Sequence, residues 1–173
     1  MRILATALLG ATMLMGISCG KDNDNNDSRS RRFISFKLDN RIYLSENPKA
    51  VIYLPNLTDN DPTNDYPRME ITGQSYTGDV ITFTLATDAM PFKPGAYPVT
   101  QKGNSMSVLL NGSFPQQLGS DPASGGFGIN LTDVNNMTVE GNFSGTLYDK
   151  SGAGGPRAVT DGAFRAVVTQ VSQ

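Results

Sequence analysis

The chain reads as an all-β protein, an antiparallel β-sandwich or flattened barrel of about nine to ten strands. Three observations carry that expectation. From Phe33 onward apolar and polar residues alternate with a period of two along most of the chain, the pattern of half-buried strands. No helical i, i+3, i+4 stripe persists for ten residues in that stretch. The composition, with 18 Gly, 10 Pro and many Asn, Thr and Ser, favours strands and turns over helices.

Taken in order, Ile34, Phe36 and Leu38 alternate with Ser35 and Lys37, and Asp39-Asn40 turns the chain into Ile42-Tyr43-Leu44, which predicts a hairpin. Residues 50–54 are apolar enough for a strand buried on both faces, stopped by Pro55. Residues 68–72 and 80–85 form the next pair. In the second of these Ile81, Phe83 and Leu85 share one face and Thr82 and Thr84 the other. A turn over residues 90–95 feeds residues 96–100, an edge strand at best, because Pro98 has no N–H to give to a ladder. Residues 105–110 make a further strand and residues 112–126 a loose loop. Phe127, Ile129 and Leu131 then alternate with polar residues. Met137, Val139, Gly141, Phe143, Gly145 and Leu147 share one face of a long strand, and Phe164, Ala166 and Val168 share a face of the last.

Ahead of this single β domain, residues 33–173, the chain divides at Cys19. Residues 1–18 have a positive Arg2, an apolar run over residues 3–15 and small Gly16 and Ser18 near the end, which is the design of a secretory signal. The run is shorter than the ~20 residues a spanning helix needs. Ile17-Ser18-Cys19 resembles a bacterial lipobox, in which the leader is cut before the cysteine and the thiol carries a diacylglyceryl group; Gly16 stands where Leu is usual. Residues 20–32 hold no apolar side chain and read as a disordered linker, with an r.m.s. span of roughly 20 Å. Within it Lys21-Asp22-Asn23-Asp24 resembles the acidic export signal of Bacteroidota lipoproteins. The expectation is a lipid-anchored protein of the outer membrane, at the cell surface, with the periplasmic face as the alternative.

The chain contains no histidine, and Cys19 is its one thiol. His-based general bases, Ser/His and Cys/His nucleophile pairs, Cys/His zinc sites and an internal disulfide are therefore excluded within one chain. A net charge of −2 and the lack of a basic stripe argue against nucleic acid. A calcium candidate remains. Asp59, Asp61 and Asp65 stand at positions 1, 3 and 7 of a stretch with Glu70 at position 12, echoing the oxygen-ligand spacing of an EF-hand loop, although Asn64 replaces its glycine and Pro62 and Pro67 restrict the wrap. Carboxylate pairs for glycoside hydrolysis would come from three Glu and thirteen Asp; Asp133, Glu140 and Asp161 read as turn or solvent-face residues. Tyr66 and Tyr76 are the aromatic rings most suited to exposure on loops.

Four motifs together carry a resemblance. They are F-I-S-F-K-L-D-N-R-I-Y from Phe33, P-G-A-Y-P-V from Pro94, Val139-Glu140-Gly141-Asn142-Phe143-Ser144, and Thr160-Asp161-Gly162-Ala163-Phe164. With them the chain resembles an uncharacterised β-rich lipoprotein family of Bacteroidota, with Asn142 where Thr is more usual. The resemblance implies an antiparallel β fold and membrane attachment, and brings no catalytic or binding residues. The functional expectation is a non-enzymatic β domain, with no cofactor beyond the lipid on Cys19, that binds an envelope protein or a glycan or serves a structural role. A carrier holding a small apolar ligand in a barrel cavity is the alternative, and a carboxylate-based glycan hydrolase a further one.

Overall fold

Two long strands near the C-terminus, β10 (Thr138–Asp149) and β11 (Arg157–Val171), carry the rest of the sheet. The computed structural model describes residues 31–62 and 64–171; the leader, Cys19 and the linker as far as Ser30 lie outside them. The other strands are β1 (Phe33–Leu38), β2 (Arg41–Glu46), β3 (Lys49–Tyr53), β4 (Arg68–Gln74), β5 (Val80–Ala86), β6 (Gly95–Pro98), β7 (Ser105–Leu110), β8 (Gln116–Gly119) and β9 (Phe127–Val134). Among the described residues the protein is all-β, and no helix is long and apolar enough to cross a membrane.

The strands form one mostly antiparallel sheet in the order β2-β1-β11-β3-β4-β5-β7-β8-β10-β9-β6, with β10 also paired to β11. That extra pairing closes a circuit through β11, β3, β4, β5, β7, β8 and β10. It works because the two long strands each serve two neighbours on one edge. β11 pairs with β1 over Val159 to Arg165 and then, in parallel, with β3 from Val167 onward. β10 pairs with β9 over Val139 to Gly145 and with β8 at Tyr148 and Asp149. The result is a flattened barrel with two flaps, β1-β2 and β9-β6.

The circuit is filled. Phe83 of β5 reaches Phe143 of β10 and Phe164 of β11 across the interior, with ring centroids 4.7 and 5.4 Å apart, and Phe36 of β1 lies 5.7 Å from Phe143. These rings belong to one cluster of buried side chains that also takes in Ile34, Leu38, Met69, Ile71, Ile81, Leu85, Val108 and Leu118.

The two closing motifs turn out to be one packing device. Gly141 is the cross-strand partner of Phe164, and Phe143 is the partner of Gly162. Each ring lies over the glycine opposite: a Cβ on Gly141 would come within 2.7 Å of the Phe164 ring, and one on Gly162 within 2.6 Å of the Phe143 ring. Two large side chains thus fit side by side on adjacent strands because neither faces a Cβ.

Three expectations change. Residues 112–126 hold a strand, β8, which brings the total among the described residues to eleven; it is four residues long and only Leu118 marks it as apolar. Residues 50–54 are not buried on both faces: Ala50 and Ile52 point inward, while Val51 and Tyr53 are half-exposed on the outer face of β3. Met137 does not join the inward face of β10, because it sits in the turn before the strand and stands 75% exposed. The Pro98 expectation is met, since β6 pairs with β9 alone at the edge of the order.

Candidate functional site

The residues singled out for metal binding serve their own loop. Asp59 accepts hydrogen bonds from Asn56 Nδ2 (2.6 Å), Asn64 Nδ2 (3.0 Å) and the Asp61 backbone N–H (3.0 Å), the last an Asx turn, and these bonds tie together the connection between β3 and β4. Asp65 is exposed on the same loop, whereas Glu70 lies half-buried within β4, where Thr72 Oγ1 donates to it at 3.4 Å. Among the described residues no three Asp, Glu or Cys side chains gather as a metal ion would need.

The acidic residues read as turn or solvent-face groups each have a local partner. Asp133 accepts from Asn135 Nδ2 at 3.0 Å, Glu140 pairs with Arg165, and Asp161 pairs with Lys37 at 2.8 Å. Of the two tyrosines expected to be exposed, Tyr76 is 91% exposed, and Tyr66 is half-buried with its ring packed over Gly103.

A concave site lies elsewhere, in the region first read as a loose loop. A cleft of about 630 Å³ is lined by Phe114, Pro115, Gln116, Gln117, Asp149, Lys150 and Ser151. That size falls within the roughly 300–1,000 Å³ of ligand pockets. The β7–β8 hairpin supplies one wall and the end of β10 the other: β8 pairs with β10 at Tyr148 and Asp149, and the Lys150 N–H donates to the Gln117 carbonyl at 2.8 Å. Phe114 stands at the rim, 93% exposed.

The floor is a connected polar network. Asp149 Oδ2 accepts from Gln116 Nε2 at 2.7 Å, and Oδ1 accepts from the Ser151 N–H at 2.8 Å and its hydroxyl at 2.7 Å. Hydrogen bonds from Gln116 and from the Ser151 hydroxyl and backbone hold the Asp149 carboxyl below its ordinary value, so it stays ionised. Gln116 Oε1 accepts in turn from Arg157 Nη1 at 3.4 Å, and Arg157 pairs with Asp39. Lys150 donates to the Ser120 carbonyl at 3.3 Å and lays its aliphatic stem over Gly119. Each floor side chain is thus oriented before anything binds.

Sequence reasoning missed this site, since Phe114 and Gln116 lie over thirty residues from Asp149 and only the β8–β10 pairing joins them. The one local signal was a phenylalanine in a Gly-Ser-Phe-Pro turn, where nothing alternates with it to form a buried face.

Fold and cleft together define a β-rich protein with a polar, surface-open concavity. Comparison of the chain with protein-family models, with curated proteins and with solved structures gives no match.

Proposed function

We propose that the chain is a lipoprotein of the bacterial outer membrane, held at the cell surface by acyl chains on Cys19, whose β domain acts by binding rather than by catalysis. The observation that carries this reading is Cys19 itself: the single thiol of a histidine-free chain, placed directly between an apolar leader and a polar linker. Each buried methylene of an acyl chain is worth about 0.8 kcal/mol, so more than one chain on the cysteine anchors firmly. The described domain begins at Arg31, within reach of a linker whose span is roughly 20 Å. Arg31 pairs with Glu46 and the Arg32 carbonyl accepts from the Asn47 N–H, which ties the start of the domain to the end of β2.

Cells supplied with radiolabelled fatty acid are expected to label the parent chain and not a Cys19→Ala variant, which moves to the soluble fraction. Label persisting in the variant would refute the anchor. Protease added to intact cells is expected to digest the domain, whereas protection until the outer membrane is opened would place it on the periplasmic face.

A further inference from the structure

We propose that the cleft between Phe114 and Asp149 binds a neutral carbohydrate, with the Phe114 ring stacked on the apolar face of a sugar and the floor side chains meeting its hydroxyls. The ring is 93% exposed, and its neighbours across the cleft are polar. An aromatic ring facing a polar floor is matched by a ligand that is apolar on one face and rich in hydroxyls at its edge. Sugar C–H groups carry slight positive charge and sit well against the negative face of a ring.

The floor fits hydroxyls more closely than charged groups. Hydroxyls both donate and accept, and the lining offers both capacities: Gln117 has an exposed amide, Lys150 has N–H groups beyond the one given to Ser120, and Asp149 keeps acceptor capacity beside its three hydrogen bonds. Asp149 opposes phosphates and carboxylates, while Lys150 opposes cations. Because Gln116, Asp149, Ser151 and Arg157 hold one another, little side-chain freedom is lost on binding.

The position of the cleft agrees. β1 starts at Phe33, opposite Glu46 and Arg165, and ends at Leu38, opposite Arg41 and Val159. Asp39, just beyond that end, holds Arg157, which reaches Gln116 in the cleft. The cleft therefore lies at the far end of a six-residue strand, roughly 20 Å from where the linker joins. This rests on the anchoring reading and gives the binding role proposed there a ligand class.

The test is electrophoresis of the full chain, in non-ionic detergent, through native gels containing a soluble neutral polysaccharide: an α-glucan, a β-glucan, a mannan or a xylan. Retardation by at least one is expected, weakened about tenfold in Phe114→Ala and unchanged in Met137→Ala, an exposed apolar residue outside the cleft. Phe114→Ala should keep the parental melting temperature, so that lost binding is not lost folding. The proposal is overturned if no polysaccharide retards the parent, which would leave Phe114 to a protein contact, or if Phe114→Ala is retarded as strongly. Fatty-acid labelling of Cys19 is independent of this result, so failure of the anchor and failure of the cleft are told apart.

Discussion

At the scale of single residues, Asp79 is a buried carboxylate held ionised by its neighbours. It is buried in the turn between β4 and β5, and burial alone would raise its pKa. Hydrogen bonds from Thr77 Oγ1 (2.6 Å), the Asn111 N–H (2.8 Å) and Ser75 Oγ (3.0 Å), with the charge of Arg41, outweigh that and hold it below the ordinary 3.8. A carboxylate with a depressed folded-state pKa contributes stability that is present above pH 3.8 and lost as pH falls through its lower folded-state value. Melting temperatures measured from pH 6 downward are expected to fall less steeply below about pH 4 in Asp79→Asn than in the parent. An unchanged slope would show that other groups carry the acid sensitivity. Two of its donors, Thr77 and Ser75, lie two and four residues before it, whereas the third, the Asn111 N–H, comes from beyond the end of β7, 32 residues away.

At the scale of elements, the first hairpin was legible to the residue. Asp39-Asn40 is the turn that the sequence predicts, and both take positive φ, 49° and 67°, as a two-residue turn whose twist matches its strands requires. Asn tolerates that conformation and a β-branched residue does not. Asn40→Val is therefore expected to destabilise by about 1–3 kcal/mol in denaturant titration, and Asn40→Gly to be near neutral. Alternation was just as readable along β5, β9 and β10, where inward residues bury as the pattern implies. It failed where the period is interrupted. At Thr160-Asp161 a bulge with Asp161 at φ 53° places two exposed residues between inward Val159 and Gly162, so Val159 lies out of phase with Phe164. β8 was hidden for a different reason: four residues with one apolar side chain carry too little period to recognise.

At the scale of the molecule, the calcium candidate and the cleft show what spacing alone can and cannot do. Asp59, Asp61, Asp65 and Glu70 fit a ligand spacing, yet the structure divides them between a self-bonded loop and a strand. Adding a calcium chelator is accordingly expected to leave the melting temperature unchanged; a clear fall would mean the loop rearranges around an ion. The cleft had no spacing to betray it, because its walls come from chain segments that meet only when β8 pairs with β10.

The sequence by itself determined that the domain from Phe33 onward is all-β, which residues point inward along its regular strands, and which chemistries are closed to a chain with one thiol and no histidine. Those are local or compositional properties, and alternation along a strand is written residue by residue. Only the tertiary structure decided the strand order, the β10–β11 pairing that closes the circuit, the parallel β3–β11 pairing within it, and the reciprocal seating of Phe164 on Gly141 and Phe143 on Gly162. It also decided that Phe114 stands beside Asp149. Strand pairing joins residues far apart in the chain, and the polar edges of one strand carry almost no mark of which other strand will meet them.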